Sequence, residues 1–496
     1  MSAKRDLWAP LAVLAFAQFM VVLDITIVNV ALPSIQRDLP FSNSGLQWVI
    51  SAYTLTFGGF LLLGGRLADL LGRRRMFLVG LSLFGLTSLA AGLAQAPGQL
   101  VAARAVQGLG GALLSPAALS ILLVTYDKGK VRAVALGVWG GLAGLGGTLG
   151  VVLGGFLIDA LSWRYVFFVN VPIAMVVLVL TPVVVSESRA QMPGRRAFDL
   201  AGAVIGTATV LALVYGVIRA NDVGWGSRMV IACLVGSAVG LALFVTVESR
   251  SAAPLVPLHL FRRRIFALSA AALGLNGATF LSMFFLTVVF LQQVRGQTPL
   301  GTGVDMLPMG AAAVVSAVIA QKLVVRFDTR PVQTVGALFS CAGLLVLSRV
   351  GAHGMYAAHL LPGLLLLGIG IIALMVPAQI AALAEVGQQE SGAASGLLSS
   401  CYQIGGAVGL AVITTVSTTR VTAALATGNP VKDALVDGFH RGMLAVTLFA
   451  ALGIVLAVAA RRIPTPRTKQ STDILAGRDD LPEASGDKDQ PVVAGK

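Results

Sequence analysis

Charged residues are scarce in this 496-residue chain: Asp, Glu, Lys and Arg together make up 12% of it. Soluble globular proteins carry about 25% charged residues, whereas here 56% of the residues are hydrophobic. The shortage of charge excludes a soluble globular protein and indicates an integral membrane protein. The net charge of +14 does not indicate a nucleic-acid partner, because the basic residues lie in short loops between apolar spans.

Residue types that serve metal and redox chemistry are also scarce. The three cysteines all lie in apolar spans, and the four histidines lie in loops or near the ends of spans. Neither set has the spacing of a disulfide framework or a metal site, so we predict no metal and no cofactor. The chain has no Gly-x-x-x-x-Gly-Lys-Ser/Thr segment, which argues against direct use of ATP. No catalytic constellation stands out, and we predict that the protein is not an enzyme.

Long apolar stretches recur along the whole chain. A helix needs about 20 apolar residues to cross the hydrocarbon core of a bilayer. About fourteen stretches approach that length, at residues 10–33, 46–65, 76–95, 98–124, 133–160, 166–186, 198–218, 229–248, 265–291, 303–322, 332–348, 358–384, 393–418 and 442–460. The sequence therefore predicts an all-α membrane protein with 14 transmembrane helices, whose even number places both termini on one side.

The distribution of basic residues predicts which side that is. If the N-terminus is cytoplasmic, most of the 36 Lys and Arg residues lie in segments on the inner side. Cytoplasmic segments carry such an excess of Lys and Arg, so we predict that both termini are cytoplasmic. Residues 462–496 are polar and lack apolar periodicity, and we expect them to form a disordered cytoplasmic tail.

One acidic residue, Asp24, lies within the first apolar stretch. A carboxylate at the centre of a bilayer costs about 2.5–3.5 kcal/mol on insertion scales, and such residues usually face the interior of a bundle and have a function. We interpret Asp24 as the proton site of a transporter. A structural acid that pairs with a neighbouring helix is the alternative.

A basic residue, Arg104, lies within the fourth stretch. At a rise of 1.5 Å per residue, Arg104 lies about 10 Å from the outer end of its helix and Asp24 about 13 Å from the outer end of its own. Their similar depth makes an interaction between the two side chains plausible on geometric grounds. The alternative is an arginine that only satisfies backbone carbonyls.

The turn between the second and third spans reads GRLADLLGRRR over residues 65–75. Its lone acid, Asp69, is expected to form an ion pair or to cap a helix, although the segment could also be merely a basic inner loop. It resembles the signature loop of the major facilitator superfamily. The residues that carry the resemblance are Gly65, Asp69, Gly72, Arg73 and Arg74. The resemblance implies that Asp69 and its arginines latch the cytoplasmic side in the outward-open state, with Asp69 facing residues 391–392.

A weaker copy of this segment occupies residues 321–330. Leu323 aligns with Leu67, and Val325 replaces Asp69. Many transporters are built from repeated halves. We therefore predict an N-terminal six-helix bundle over residues 1–190, two inserted transmembrane helices over 191–255 and a C-terminal six-helix bundle over 256–461.

Further segments resemble the fourteen-helix drug:proton antiporter family of this superfamily. The first span ends LDITIVNVALP, in which Asp24 occupies the place of an acid associated with proton or cationic-drug binding. Arg104 occupies the place of an arginine tied to proton transfer, and residues 163–172 resemble another family feature. The fifth span resembles the antiport signature through closely spaced glycines that allow close helix packing, namely Gly146, Gly150, Gly154 and Gly155. Val151 departs from that signature, because the family has proline there.

Polar and aromatic residues in several spans are candidates for a substrate cavity. Isolated polar groups in lipid-embedded helices face inward, although ordinary helix packing explains each of these residues as well. The candidates are Tyr53, Phe57, Asn276, Phe284, Tyr402 and Gln403. An apolar, aromatic cavity suits bulky hydrophobic or cationic compounds.

The resemblance implies export of hydrophobic or cationic drugs or antibiotics across the bacterial cytoplasmic membrane by alternating access. The proton is the expected coupling ion, the expected partners are the small-molecule substrate and the lipid bilayer, and a monomer is expected. Two alternatives remain open: an exporter of an endogenous metabolite or siderophore, and a membrane sensor that transports nothing.

Overall fold

The computed structural model describes residues 5–41, 43–126, 130–189, 199–251, 256, 258–352, 354–384, 386–387 and 390–459. The predicted tail, 462–496, lies outside these residues, as do residues 190–198 and 252–255 of the predicted insertion. The helices are α1 Arg5–Asp38, α2 Asn43–Leu71, α3 Arg73–Gly92, α4 Pro97–Thr125, α5 Lys130–Ala160, α6 Tyr165–Phe168, α7 Asn170–Val184, α8 Leu200–Val223, α9 Arg228–Arg250, α10 His259–Arg262, α11 Arg264–Val289, α12 Pro299–Phe327, α13 Thr329–Leu347, α14 Leu361–Leu383, α15 Ser391–Ala426 and α16 Val431–Ala459. Two π-helical turns, Phe290–Val294 and Tyr356–Leu360, follow α11 and precede α14.

The described part of the chain is all helical, and each predicted apolar stretch falls on a helix of fifteen residues or more. Eleven of the described helical segments are long and apolar enough to cross a membrane, and α2, which bends by 50° after Leu61, is a twelfth candidate. The apolar parts of α5 and α8 are shorter, Leu149–Ala160 and Ala201–Val217. The fold is therefore that of a helical membrane protein with 11 or 12 candidate spans among the described residues.

The helix ends follow local chemistry more than hydropathy. Helix α12 begins with Pro299, and proline is tolerated there because a backbone N–H at the first helical position has no intrahelical partner. The Thr298 hydroxyl accepts a hydrogen bond from Gly301 N at 3.1 Å. Helix α16 begins at Val431, eleven residues before the predicted span. Its first turns carry Lys432, Asp433 and Asp437, so an apolar window does not detect them.

Helices α1–α7 pack against one another, and so do α11–α16. The two sets meet along α5 and α12 and along α2 and α15. The inserted helix α8 packs on α2 and α15, and α9 packs on α8. Small residues permit the closest approaches. A Cβ atom on Gly64 of α2 would lie 2.1 Å from the carbonyl oxygen of Ala112 in α4, so only glycine fits at this crossing.

The turns of the two sequence copies share an unusual backbone conformation. Gly72, between α2 and α3, has φ 116°, and Asp328, between α12 and α13, has φ 78°. Asp328 occupies the position that aligns with Gly72. With φ 78° and ψ 169°, Asp328 lies in a region that is otherwise nearly restricted to glycine. Its carboxylate accepts from Thr329 N at 2.5 Å and caps α13. The equivalent turns support the internal repeat inferred from the sequence.

Candidate functional site

Asp24 lies at the centre of a buried polar cluster inside the bundle formed by α1–α7. Its Oδ2 accepts a hydrogen bond from Nη1 of Arg104 at 2.5 Å. Its Oδ1 accepts from Nε2 of Gln107 at 2.9 Å and from Nδ2 of Asn170 at 2.8 Å. All four side chains are buried. Three donors on one carboxylate match its ionised, acceptor-only form.

A serine completes the cluster from a fourth helix. The hydroxyl oxygen of Ser88 in α3 lies 2.9 Å from the amide nitrogens of both Gln107 and Asn170. Ser88 is buried, and it connects α3 to α4 and α7. The cluster therefore joins α1, α3, α4 and α7 through a single hydrogen-bond network.

The guanidinium of Arg104 has further protein contacts besides Asp24. Its Nε donates to the carbonyl oxygen of Val49 at 3.0 Å, and its Nη1 also donates to Oε1 of Gln107 at 2.7 Å. Its Cζ atom lies 4.3 Å from the ring centroid of Tyr53, within the range of a cation–π interaction. These contacts stabilise the Arg104 cation, which is buried.

Sequence reasoning found some of these residues and missed others. The structure brings the predicted pair, Asp24 and Arg104, into direct contact. Gln107 and Asn170 had no predicted role, although a polar residue in an apolar helix is a usable signal. Ser88 offered no such signal, because serine is common in helices and is often satisfied by its own backbone. The role of the pair in proton coupling stays a prediction.

Two buried polar atoms beside the cluster have no hydrogen-bond partner among the described residues. They are the hydroxyl of Tyr53 and Oδ1 of Asn170. An unsatisfied buried group costs roughly 1–3 kcal/mol. The Asp24 cluster therefore retains one unused donor group, the Tyr53 hydroxyl, and one unused acceptor, Oδ1 of Asn170.

The segment 163–172 connects this cluster to the far end of the bundle. Arg164 lies 3.1 Å from the carboxylate of Asp38 and donates to the carbonyl oxygen of Ala94 at 2.6 Å. The indole of Trp163 donates to the same carboxylate at 2.9 Å. These contacts tie together the ends of α1, α3 and α5.

Glycines on α5 form one face against α1. Cβ atoms on these glycines would meet α1 closely: at Gly146, 3.1 Å from the carbonyl oxygen of Phe19; at Gly150, 2.0 Å from the hydroxyl of Thr26; and at Gly154, 2.8 Å from Ile27. Thr26 lies two residues after Asp24, so this contact supports the helix turn that carries the acid.

The next residue, Gly155, faces a different helix. A Cβ atom there would lie 2.5 Å from the backbone nitrogen of Leu300 in α12, and one on Gly303 of α12 would lie 2.7 Å from the backbone of Val152. Helix α5 therefore contacts α1 with one face and α12 with another. Val151, where the family has proline, is buried in a continuous helix.

We expect Gly150→Ala to lower both thermal stability and transport, because the new methyl group has no room beside Thr26. The matched control is Gly141→Ala on the same helix, where the methyl group would lie 3.6 Å from Ala317, an ordinary contact. Overpacking typically costs about 1–3 kcal/mol. Thermal unfolding of the two purified variants measures the difference, and equal melting temperatures would contradict the close contact.

The turn at Gly72 is built around a second buried ion pair. The carboxylate of Asp69 accepts from Nε and Nη2 of Arg73 at 3.1 and 2.8 Å, and both residues are buried. The backbone at Gly72 has positive φ, and a Cβ atom there would lie 2.8 Å from a carboxylate oxygen of Glu187. Glycine is therefore required at this position for two reasons: the positive φ and the lack of space for a Cβ atom.

Glu187, which sequence reasoning missed, caps the N-terminus of α3. Its carboxylate oxygens accept from the backbone nitrogens of Arg74 and Arg75 at 3.1 and 3.2 Å. A carboxylate is favourable at a helix N-terminus because the first backbone N–H groups lack intrahelical partners. Nη1 of Arg74 also donates to the carbonyl oxygen of Val185 at 3.2 Å, so the segment after α7 holds this turn.

The end of α2 that carries this turn packs against the start of α15. A Cβ atom on Gly396 would lie 3.5 Å from the Cα atom of Gly65. The side chains of residues 391–392, which the resemblance places opposite Asp69, lie outside the described part. Arg66 is buried and interacts electrostatically with Asp69 and with two acids of the inserted helices, Glu248 and Asp199.

The six cavity candidates occupy different surroundings. Tyr53 and Phe57 stack at 5.6 Å and are buried beside the Asp24 cluster. Asn276 donates to the carbonyl oxygen of Ile371 at 3.1 Å and links α11 to α14. Phe284 is buried, with its ring centroid 5.8 Å from that of Phe280. Tyr402 and Gln403 are half-buried on α15. A role in binding substrate stays a prediction for all six.

The sequence profile of the Major Facilitator Superfamily matches residues 14–410, a range that contains both the Asp24 cluster and the turn at Gly72. The chain belongs to the major facilitator superfamily. This superfamily consists of transporters rather than enzymes.

Several curated proteins resemble this superfamily member over most of its length. The puromycin resistance protein pur8 of Streptomyces alboniger is 41% identical over 455 residues, covering 91% of this chain and 90% of that protein. The multidrug resistance protein Stp of Mycobacterium tuberculosis is 40% identical over 407 residues, covering 82% and 75%. The cephamycin export protein CmcT of Amycolatopsis lactamdurans is 38% identical over 456 residues, covering 90% and 92%.

A solved structure agrees with the fold. The crystal structure of the human organic anion transporter MFSD10 matches with a TM-score of 0.63 over 91% of this chain and 99% of that one. The sequences are 15% identical, so the likeness concerns the fold alone.

Proposed function

We propose that this superfamily member exports hydrophobic or cationic drugs or antibiotics from a bacterial cell in exchange for protons. The observation that carries the proton coupling is the buried carboxylate of Asp24 with its three donors. Relatives named for puromycin resistance and cephamycin export support the class of cargo. Export of an endogenous metabolite remains the second candidate, because the same cluster would serve it equally well.

Protonation of Asp24 would force the cluster to rearrange. The ionised carboxylate accepts from Arg104, Gln107 and Asn170, whereas a protonated one offers less acceptor capacity and no charge. Arg104 would then be a buried cation without its anion, which is strongly unfavourable. Binding of a proton therefore changes the preferred positions of the helices that carry these donors.

The packing of α5 offers a route from the cluster to the other bundle. Helix α1 carries Asp24 and lies on the glycine face of α5, and α5 in turn contacts α12 through Gly155 and Gly303. A shift of α1 would therefore be transmitted through α5 to the interface between the two halves. Transporters built from structural repeats alternate access by rocking one repeat against the other about such an interface.

One proton per cycle suffices for useful export of a neutral cargo. A charge that moves through 100 mV supplies roughly 2.3 kcal/mol. At about 1.36 kcal/mol per decade, this energy sustains a concentration gradient of about fifty-fold for a neutral cargo.

For the topology we propose 14 transmembrane helices in the bacterial plasma membrane, with both termini cytoplasmic and bundles over residues 1–190 and 256–461 flanking the inserted helices in 191–255. Fourteen described helices of fifteen residues or more support this number. The basic turns at Gly72 and at Asp328 support the orientation, because cytoplasmic loops carry an excess of Lys and Arg.

Transport into sealed liposomes tests the proposal. Purified protein is reconstituted, and uptake of puromycin or of the cationic dye ethidium is followed with an acidic lumen, so that protons leave as the compound enters. We expect gradient-dependent uptake that a protonophore abolishes and that protein-free liposomes lack. Uptake that the protonophore does not reduce would overturn proton coupling. Absence of uptake for every compound in a panel of drugs and metabolites would overturn transport.

We expect Asp69→Asn to slow transport about tenfold without weakening substrate binding, because the neutral amide loses the charge-assisted contact with Arg73. Hydrogen bonds to charged groups contribute about 1.5–3 kcal/mol, and tenfold corresponds to about 1.4 kcal/mol. The control is Arg75→Gln, since the Arg75 side chain is 66% exposed. Turnover and equilibrium binding are compared in the same preparation, and a normal rate for Asp69→Asn would contradict the role of Asp69 as a cytoplasmic latch.

A further inference from the structure

Two acids of the inserted helices lie together at one end of the pair. Asp199 is the residue before α8, and its Oδ1 accepts a hydrogen bond from Gly202 N at 2.7 Å. Glu248 lies near the end of α9 and is 3% exposed. A Cβ atom on Gly202 would lie 2.6 Å from Oε1 of Glu248 and 3.1 Å from Oδ1 of Asp199. The two carboxylates are therefore close neighbours, and like charges in such a place need a nearby cation.

Arg66 of α2 supplies a cation to both acids. Its side chain is buried, and it interacts electrostatically with Asp69, Glu248 and Asp199. Residues three apart on a helix lie on the same side of it, so Arg66 and Asp69 are neighbours on α2. A buried charge is costly unless it is paired. Arg66 therefore links the turn at Gly72 to the ends of both inserted helices.

Close packing also holds α8 against α2. A Cβ atom on Gly59 of α2 would overlap the side chain of Leu211 in α8. Nearer the other end of the same contact, the ring centroids of Trp48 and Tyr215 lie 5.8 Å apart. Helix α8 thus contacts α2 along much of its length, and the charges at Arg66 lie at one end of this contact.

The contact of the inserted helices with α15 has a different character. Val210 and Val214 of α8 form an apolar cluster with Ala407 of α15, and the indole of Trp225 donates to the hydroxyl of Thr415 at 3.0 Å. A cavity of about 780 Å³ lies between parts of α8, α9 and α15. Apolar contacts between helices contribute little in a bilayer, because lipid tails are equally apolar. This contact is therefore the easier one to separate.

We propose that Arg66 is a positioning residue that holds α8 and α9 against the cytoplasmic end of α2, so that the inserted pair moves with the N-terminal bundle during transport. The proposal rests on the topology and the alternating access of the proposed function. When the ends of α2 and α15 separate, lipid can replace the apolar contacts with α15. Separation from α2 would instead leave buried charges without their partners, which is strongly unfavourable.

Thermal unfolding of purified full-length variants tests the role of Arg66. Arg66→Gln removes a cation from Glu248 and Asp199 and is expected to lower the melting temperature. Adding Glu248→Gln is expected to recover part of that loss, since glutamine keeps an acceptor oxygen for Val256 N without the charge. The control adds Asp38→Asn instead, whose side chain is 51% exposed, and should recover nothing. A loss that is as large with Glu248→Gln as with the control would overturn the proposal.

Distances between spin labels test the movement. The three native cysteines are replaced by alanine, and labelled cysteines are introduced in pairs at three exposed positions, Arg75 of α3, Arg250 of α9 and Arg326 of α12. Double electron–electron resonance is recorded in nanodiscs at alkaline and at acidic pH. We expect a constant distance between Arg75 and Arg250, and distances from both to Arg326 that change together. In Arg66→Gln, the distribution between Arg75 and Arg250 should broaden.

The outcomes distinguish this proposal from the proposed function. A constant distance between Arg250 and Arg326, with a changing distance between Arg75 and Arg250, would assign the inserted pair to the C-terminal bundle and overturn the proposal. Three constant distances would overturn both the movement and alternating access. The comparison of melting temperatures involves no transport, so its result for Arg66 would stand even then.

Discussion

Asp24→Asn abolishes proton-driven uptake in sealed liposomes, to the level of protein-free vesicles, while the protein still reaches the membrane: this is the largest effect that we expect. Asparagine has nearly the shape of aspartate, but its neutral amide does not bind a proton near neutral pH. In the cycle that we propose, the variant also mimics the protonated, neutral state of Asp24. The variant leaves Arg104 buried without its anion and therefore lowers stability, but Arg104 keeps its contacts with Gln107, Val49 and Tyr53, and we expect the protein still to fold.

The control for this variant is Asp38→Asn on the same helix. The Asp38 side chain is 51% exposed and pairs with Arg164 at the far end of α1, where surface ion pairs contribute about 0–1 kcal/mol. We expect near-normal uptake from this control. Unchanged uptake by Asp24→Asn would end the assignment of Asp24 as the proton site, whatever the fold.

The second large effect concerns stability. Arg104→Gln leaves the carboxylate of Asp24 buried without a cation, and breaking a buried pair in this way costs about 3–5 kcal/mol. The double variant Asp24→Asn, Arg104→Gln removes both charges and is expected to recover most of that loss, although it transports nothing. Thermal unfolding of the three purified variants and the parent protein in one detergent gives the comparison.

The double variant separates this explanation from simple loss of packing, because it lacks the uncompensated charge on Asp24. A double variant no more stable than Arg104→Gln would show that the ion pair is not what Arg104 contributes.

Much of the fold could be predicted from the sequence because the bilayer imposes a simple rule. Backbone groups in hydrocarbon must pair internally, so apolar stretches of sufficient length become helices. The predicted spans fall on helices for this reason, while the helix ends at Val431 and Ala426 were missed because they extend beyond the apolar windows. The same rule singled out Asp24 and Arg104, since ionisable residues are rare in lipid.

Resemblance to a family signature, rather than physics, identified the turn at Gly72. The structure adds the reason for its glycine, which has φ 116° and lies against Glu187. Glu187 is more than a hundred residues from that turn, and a glutamate near the end of a span gives no hint of which helix it caps.

What can be derived from this sequence is whatever depends on one residue and its immediate neighbours: the spans, the charges within them and the family. The partners of those charges depend on packing across the chain, because Asp24 meets Asn170 and Ser88 only after α1, α3 and α7 have assembled.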